Sequence, residues 1–189
     1  MKHTTYTVTA EPTEEPITLA QLKTRLRVTV TEFDTELTEL LTAARKQLEH
    51  DTNRRFVTQT IDIESDSFPS GDVLELRQAP ISAVTSISYT DTAGDVQTFA
   101  ASNYTTDLRS TPPRVQVAET TNWPATDDVP NAVKVTVTAG YGAAAAVPVE
   151  AKLAIVEWCK MHWGDSDGNA TKYQNLRNKL AWSGCWKAM

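Results

Sequence analysis

The chain has 189 residues, 40% of them apolar and 22% charged, and 24 acidic against 18 basic residues leave a net charge of −6. That balance describes one folded domain, or one domain with a large insertion, and excludes a disordered chain. It also argues against a protein that grips nucleic acid through its phosphates or settles on an anionic membrane.

No run approaches the ~20 apolar residues of a membrane span. The first sixteen residues, MKHTTYTVTAEPTEEP, lack the apolar core of a signal peptide. Two cysteines, Cys159 and Cys185, make no disulfide framework and are expected as free thiols in a reducing compartment. Roughly one residue in seven is threonine, a residue suited to strands and helix N-caps.

In chain order, residues 1–16 form a polar arm with a short strand at Tyr6–Thr9. The arm is either disordered or able to add a strand to a neighbour's sheet. Thr18 with Gln21 makes a capping box, and Leu19, Leu22 and Leu26 share one face of a helix over 17–27. The β-branched run 28–31 ends it. Thr31 is expected to cap a second helix, with Glu32, Asp34 and Glu36 in its acidic start. The apolar stripe of that helix is Phe33, Leu37, Leu40, Leu41, Ala44 and Leu48, and it should fade near Asp51–Asn53.

The period then changes from 3.6 to 2. Val57–Ile63, Val73–Leu76, Val84–Thr90, Val96–Phe99, Tyr104–Leu108, Val115–Val117 and Val133–Thr138 read as short antiparallel strands, with Asp91–Asp95 a hairpin loop. Gly140-Tyr141-Gly142 closes this module. Pro148 fits the first turn of a third helix bearing Leu153, Ile155, Val156, Trp158, Cys159, His162 and Trp163. A fourth helix spans about 170–181, and an apolar, aromatic tail follows. The fold class expected is α+β: a helical body of two N-terminal and two C-terminal helices with an inserted antiparallel β module. Its parts are an arm (1–16), a connected body (17–182, with helices in 17–55 and 147–182 and the β insertion 56–139) and a tail (183–189).

Chemistry is sparse. No glycine-rich phosphate loop and no G-x-S-x-G elbow occur. Cys159 and His162 lie one helical turn apart with Asp165 beyond, but no second Cys/His pair completes a zinc set. Asp165-x-Asp167-x-Asn169 imitates the start of a calcium loop, yet Ala170 and Leu176 stand where glycine and glutamate are needed. Carboxylate pairs such as Glu14/Glu15, Asp127/Asp128 and Glu36/Glu39 read as solvated surface. No catalytic, cofactor or metal residue is therefore assigned, and the chain is expected not to be an enzyme.

The order of the pieces is informative. Glu15-Pro16-Ile17-Thr18-Leu19-Ala20 precedes a short helix and a longer one ending Asn53-Arg54-Arg55. Thr58-Gln59-Thr60, Phe68-Pro69-Ser70-Gly71, Ala79-Pro80-Ile81, Asp91–Gly94, Trp123-Pro124-Ala125, Val129-Pro130 and Ala139-Gly140-Tyr141-Gly142 follow in turn. Over residues 14–182 this resembles the head–tail connector (adaptor) proteins of tailed bacteriophages and prophages; the ends, 1–13 and 183–189, depart from the pattern.

The resemblance implies a structural subunit of the virion neck, assembled in the host cytoplasm. It implies a ring of about twelve copies beneath the portal protein, meeting a neck or tail-completion protein on its other side. DNA would pass through without specific binding, and no membrane is involved. By that analogy the C-terminal helix reaches the portal, giving Leu176, Leu180, Trp182 and Trp186 as candidate contacts. A lumen that repels DNA needs acid, and Glu32, Asp34, Glu36, Glu39, Asp127 and Asp128 are the candidates. The alternatives are another neck or tail-completion protein, or a carbohydrate- or host-surface-binding β module with Trp123 and Tyr141 as platforms.

Overall fold

The computed structural model describes residues 4–164 and 169–182. The calcium-like turn at Asp165–Gly168 and the tail with Cys185 and Trp186 lie outside them. Two compact units are present. One joins Gln59–Gly140 to the N-terminal segment ending at Glu11; the other joins Pro12–Thr58 to the chain from Tyr141 onward.

The first unit holds the strands β1 (Thr4–Ala10), β2 (Gln59–Ser65), β3 (Val73–Glu75), β4 (Ile81–Thr90), β5 (Val96–Thr98), β6 (Tyr104–Asp107), β7 (Arg114–Val117) and β8 (Val133–Ala139). They make a five-stranded sheet, β1-β2-β8-β4-β5, and a three-stranded sheet, β3-β7-β6, with all pairs antiparallel. The clean alternation of β8 places it at the centre. Val133, Val135, Val137 and Ala139 are buried, while Lys134 on the opposite face is exposed. Register follows from this: Val135 and Val137 lie opposite Ile63 and Ile61 on one side, and opposite Ile87 and Val84 on the other. A one-residue slip would turn every buried valine to water.

The arm is corrected by the structure. Thr4–Ala10 is neither disordered nor a strand lent to a neighbour; it pairs with β2 of its own sheet, Tyr6 opposite Ile63 and Val8 opposite Ile61. Tyr6 and Val8 pack on the β core, so two apolar side chains among threonines suffice to dock it. Phe68, Phe99, Tyr104 and Trp123 form an aromatic cluster in that core, Phe68 stacking on Trp123 at 4.7 Å.

The hairpin at Asp91–Asp95 forms as its composition predicts. Gly94 takes the left-handed φ of 87° that closes the loop. The Asp91 carboxylate accepts from the Ala93 and Asp95 N–H groups and from Gln97 Nε2. The Gln97 bond first, then the backbone bonds, hold its carboxyl below the ordinary 3.8. The depressed value means that this tie is complete above the ordinary carboxylate range and is lost as pH falls through the folded value. Asp91→Ala should therefore lower the amide protection factors at Ala93 and Asp95 several-fold near neutrality, as acid should in the native protein once the pH dependence of intrinsic exchange is divided out. Equal protection in both proteins would show that the carboxylate does not order the loop.

The second unit contains α1 (Leu19–Leu26), α2 (Asp34–Thr52), α3 (Val149–Trp163) and α4 (Asn169–Trp182). The Thr18/Gln21 capping box is present in both directions, at 3.2 and 2.9 Å. Thr31, by contrast, does not cap α2. The helix starts at Asp34 behind Phe33, and Thr31 supplies only its carbonyl to the Asp34 N–H. Asp34 is instead held by Lys23 Nζ at 2.5 Å, which fixes the α1–α2 turn from the side-chain end. Glu32 thus lies before the helix. Pro148 is also one step earlier than expected, as the residue preceding α3. Leu22, Leu37, Leu41, Ala44, Leu48, Phe56, Ala154, Ile155 and Cys159 form the helical core.

Candidate assembly surfaces

The residues that carry the connector resemblance converge on buried contacts in the helical unit. Arg45 Nε donates to Glu15 Oε2 at 2.8 Å, and Arg45 Nη1 to Glu49 Oε2 at 3.1 Å. Glu49 Oε1 accepts the Phe56 N–H at 3.0 Å, and Glu15 Oε1 accepts from Thr42 Oγ1 at 3.0 Å. Arg45 and Glu49 are both buried. The knot ties the segment before α1 and the chain leaving α2 to one turn of α2. Glu14 Oε1 accepts the Ala144 N–H at 2.8 Å. Glu15 is therefore not the solvated carboxylate that the sequence suggests, whereas Glu14 is exposed as expected and accepts one backbone hydrogen bond. The Asn53-Arg54-Arg55 and Gly140-Tyr141-Gly142 motifs also meet: Arg54 bonds the Tyr141 hydroxyl, Phe56 stacks on Tyr141 at 6.5 Å, and the Tyr141 N–H donates to the Phe56 carbonyl at 2.9 Å.

The candidate portal contacts divide. Leu180 is 6% exposed and Leu176 half-buried, both packed into the helical core beside Tyr173. Tyr173 Oη donates to Asp51 Oδ2 at 3.0 Å, and Arg177 approaches the same carboxylate at 3.7 Å. One face of α4 is thus spent on its own unit. Trp182 is the last residue of α4, and Trp186 lies beyond the described residues.

The acidic candidates fall in both units. Asp34 is committed to Lys23; Glu32, Glu36 and Glu39 are exposed at the start of α2. Asp127 and Asp128 lie in a loop of the β unit, where the Asp128 N–H donates to Asp127 Oδ1 and the Asp127 N–H to the Thr90 carbonyl. The helical unit also has an open groove of ≈ 280 Å³ between α1 and α3.

Other singled-out residues have structural uses. Cys159 is buried against the Leu40 carbonyl, and burial, helped by the Glu15 charge, pushes its thiol up to about 12. His162 is exposed, stacks on Trp158 at 3.8 Å and bonds the Trp158 carbonyl. Trp123 stacks on Phe68 and donates Nε1–H to the Gly71 carbonyl, and Tyr141 belongs to the other unit. Among the described residues no group of three or more His, Cys, Asp or Glu could hold a metal ion, and no helix is long and apolar enough to cross a membrane.

Comparison with known proteins agrees with the motif order. Residues 16–104 match the family described as phage gp6-like head-tail connector protein. No curated protein sequence matches. Among solved structures, a chain in the neck of an empty gene transfer agent (GTA) particle with C6 symmetry superposes with a TM-score of 0.80 at 19% identity, covering 98% of this chain and 97% of that one. A chain in the virion of the native GTA particle gives 0.79 at 20% identity over 97% of each chain. One in the native GTA neck with C12 symmetry gives 0.66 at 18% identity, covering 95% of this chain and 97% of that one. These likenesses establish a shared α+β fold over nearly the whole length. Over residues 16–104 the chain is similar to the phage gp6-like head-tail connectors, whose motifs its sequence carries in order.

Proposed function

We propose that the protein is a ring-forming head–tail connector subunit of a phage-like particle, structural rather than catalytic, placed in the neck between the portal and the next neck or tail protein. The match of residues 16–104 to the connector family carries this reading. The fold shared with neck chains of C6- and C12-symmetric GTA particles supports a ring, which needs two different complementary patches on each subunit.

The portal contact belongs to the end of the chain. Leu176 and Leu180 serve the helical core, so Trp182 and Trp186 are the anchors we assign to the partner. Asp127 and Asp128, in a loop of the β unit, supply charge of the sign needed to repel DNA over about 8–10 Å. The acid at the start of α2 has a different use, argued below.

The test is particle mass with negative-stain imaging of the protein, alone and with the portal protein of the same particle. A ring with a central channel, free or formed on the portal, is expected. Removing residues 183–189 together with Trp182→Ala should abolish portal binding while the circular dichroism stays native. A monomer that ignores the portal would overturn the reading.

A further inference from the structure

In the helical unit, every exposed large apolar residue among those described lies in one of two patches. The first is the groove between α1 and α3. Ile17, Leu153 and Val156 line it, and Val149, 65% exposed, stands at its edge. Arg25 and Lys152 flank it, and no acidic side chain lines it. Neither cation makes an ion pair or hydrogen bond among the described residues.

The second patch is a knob at the α1–α2 turn. Val30 is 47% exposed and Phe33 39% exposed. Around them Glu32, Glu36 and Glu39 are exposed, and none makes an ion pair among the described residues. One patch is thus a concave surface, apolar and polar by turns, with two cations unpartnered among the described residues; the other is exposed apolar surface at a turn with three carboxylates unpartnered among them.

The patches lie toward opposite ends of α3. Phe33 packs edge-on against Trp163, the last residue of that helix, at 5.3 Å. The groove uses Val149–Val156 in its first half, ~10–20 Å away along the axis at the usual helical rise. The separation suits the two halves of a head-to-tail contact, which uses different surfaces on the two partners.

We propose that the Val30/Phe33 knob of one subunit seats in the α1–α3 groove of the next, with Glu32, Glu36 and Glu39 facing Arg25 and Lys152. The occupant is a second copy of this chain, and the inference rests on the ring reading above. It assigns the acid at the start of α2 to the subunit contact rather than to the channel wall. Charge complementarity of this kind sets partner and register, and the buried apolar centre supplies the affinity.

The test uses full-length protein with two charge reversals. One variant carries Arg25→Glu and Lys152→Glu; the other carries Glu36→Lys and Glu39→Lys. Sedimentation and negative stain are read with and without portal, and circular dichroism checks the fold. Each variant alone should fail to form rings, with self-association weakened about tenfold per contact. Mixing the two in equal amounts should restore rings, because both contacts then again pair opposite charges. If a reversed variant misfolds, the corresponding Gln pair, which removes charge without reversing it, should weaken assembly several-fold. Wild-type-like rings from each variant alone, or no recovery on mixing, would overturn the interface while leaving the ring intact. A wild-type protein that stays monomeric even with portal would instead remove the ring reading, and this contact with it.

Discussion

Glu49→Ala is expected to destabilise the helical unit by about 3 kcal/mol, the low end for breaking a buried ion pair, because Glu15 still faces Arg45. Glu49 and Arg45 are both buried, and Glu49 serves two donors: Arg45 Nη1 and the Phe56 N–H. Its removal takes the second carboxylate from Arg45, which keeps Glu15, and the acceptor from the Phe56 N–H at the point where the chain leaves α2. Glu49→Gln keeps an acceptor for Phe56 but loses the charge, and should fall between wild type and alanine. Arg45→Met should cost at least as much as Glu49→Ala, since Glu15 and Glu49 would then face each other without the cation. Urea unfolding followed by helical circular dichroism measures this as a shift in midpoint. A Glu49→Ala loss under about 1 kcal/mol would mean that the knot is solvated in solution.

Raising the pH above about 9 should also weaken the helical unit. Cys159 ionises at 9.0 when free and is pushed up to about 12 by burial, with the Glu15 charge adding to it. Between these values the unfolded chain has released a proton that the folded chain retains, so stability falls as pH rises. A rise of that size is worth about 4 kcal/mol by pH 12. Burial raises the Tyr173 hydroxyl as well, with the charge of Asp51 next in effect, so a second loss of the same sign begins above the ordinary tyrosine value of 10.0. Cys159→Ala removes the first component and should flatten the decline between pH 9 and 10. Midpoints that do not change between pH 8 and 10.5 in the wild type would refute the assignment. In the native protein at neutral pH, Cys159 should correspondingly resist alkylation until the chain unfolds.

Both effects involve residues whose roles were invisible along the chain. Glu14 and Glu15 look like surface acid, but their partners, Ala144 and Arg45, are 130 and 30 residues away. Arg45 reads as a favourable charge toward the end of α2, yet it is buried between two carboxylates. The resemblance offers Leu176 and Leu180 as partner contacts, while the structure buries Leu180 and half-buries Leu176 against the helical core. The Thr31 cap failed for a related reason: Lys23 on α1 holds Asp34, and the helix begins where that contact and the Phe33 turn place it.

What the sequence determined by itself is local or periodic. The Thr18/Gln21 capping box closes within one turn, the α2 stripe repeats with the helix, and the alternation of Val133, Val135 and Val137 marks a central strand. The Asp91–Gly94 loop carries its own hydrogen bonds, and the ordered motifs carry the connector resemblance with which the match of residues 16–104 agrees. Tertiary structure alone decided that the N-terminal arm is an edge strand of its own sheet, that the motif residues lock together as part-buried pairs, and that apolar surface remains open at two separated places. The division has one physical cause. A turn or a period depends on neighbours a few residues away, whereas the fate of a charged or apolar side chain depends on what distant chain folds against it.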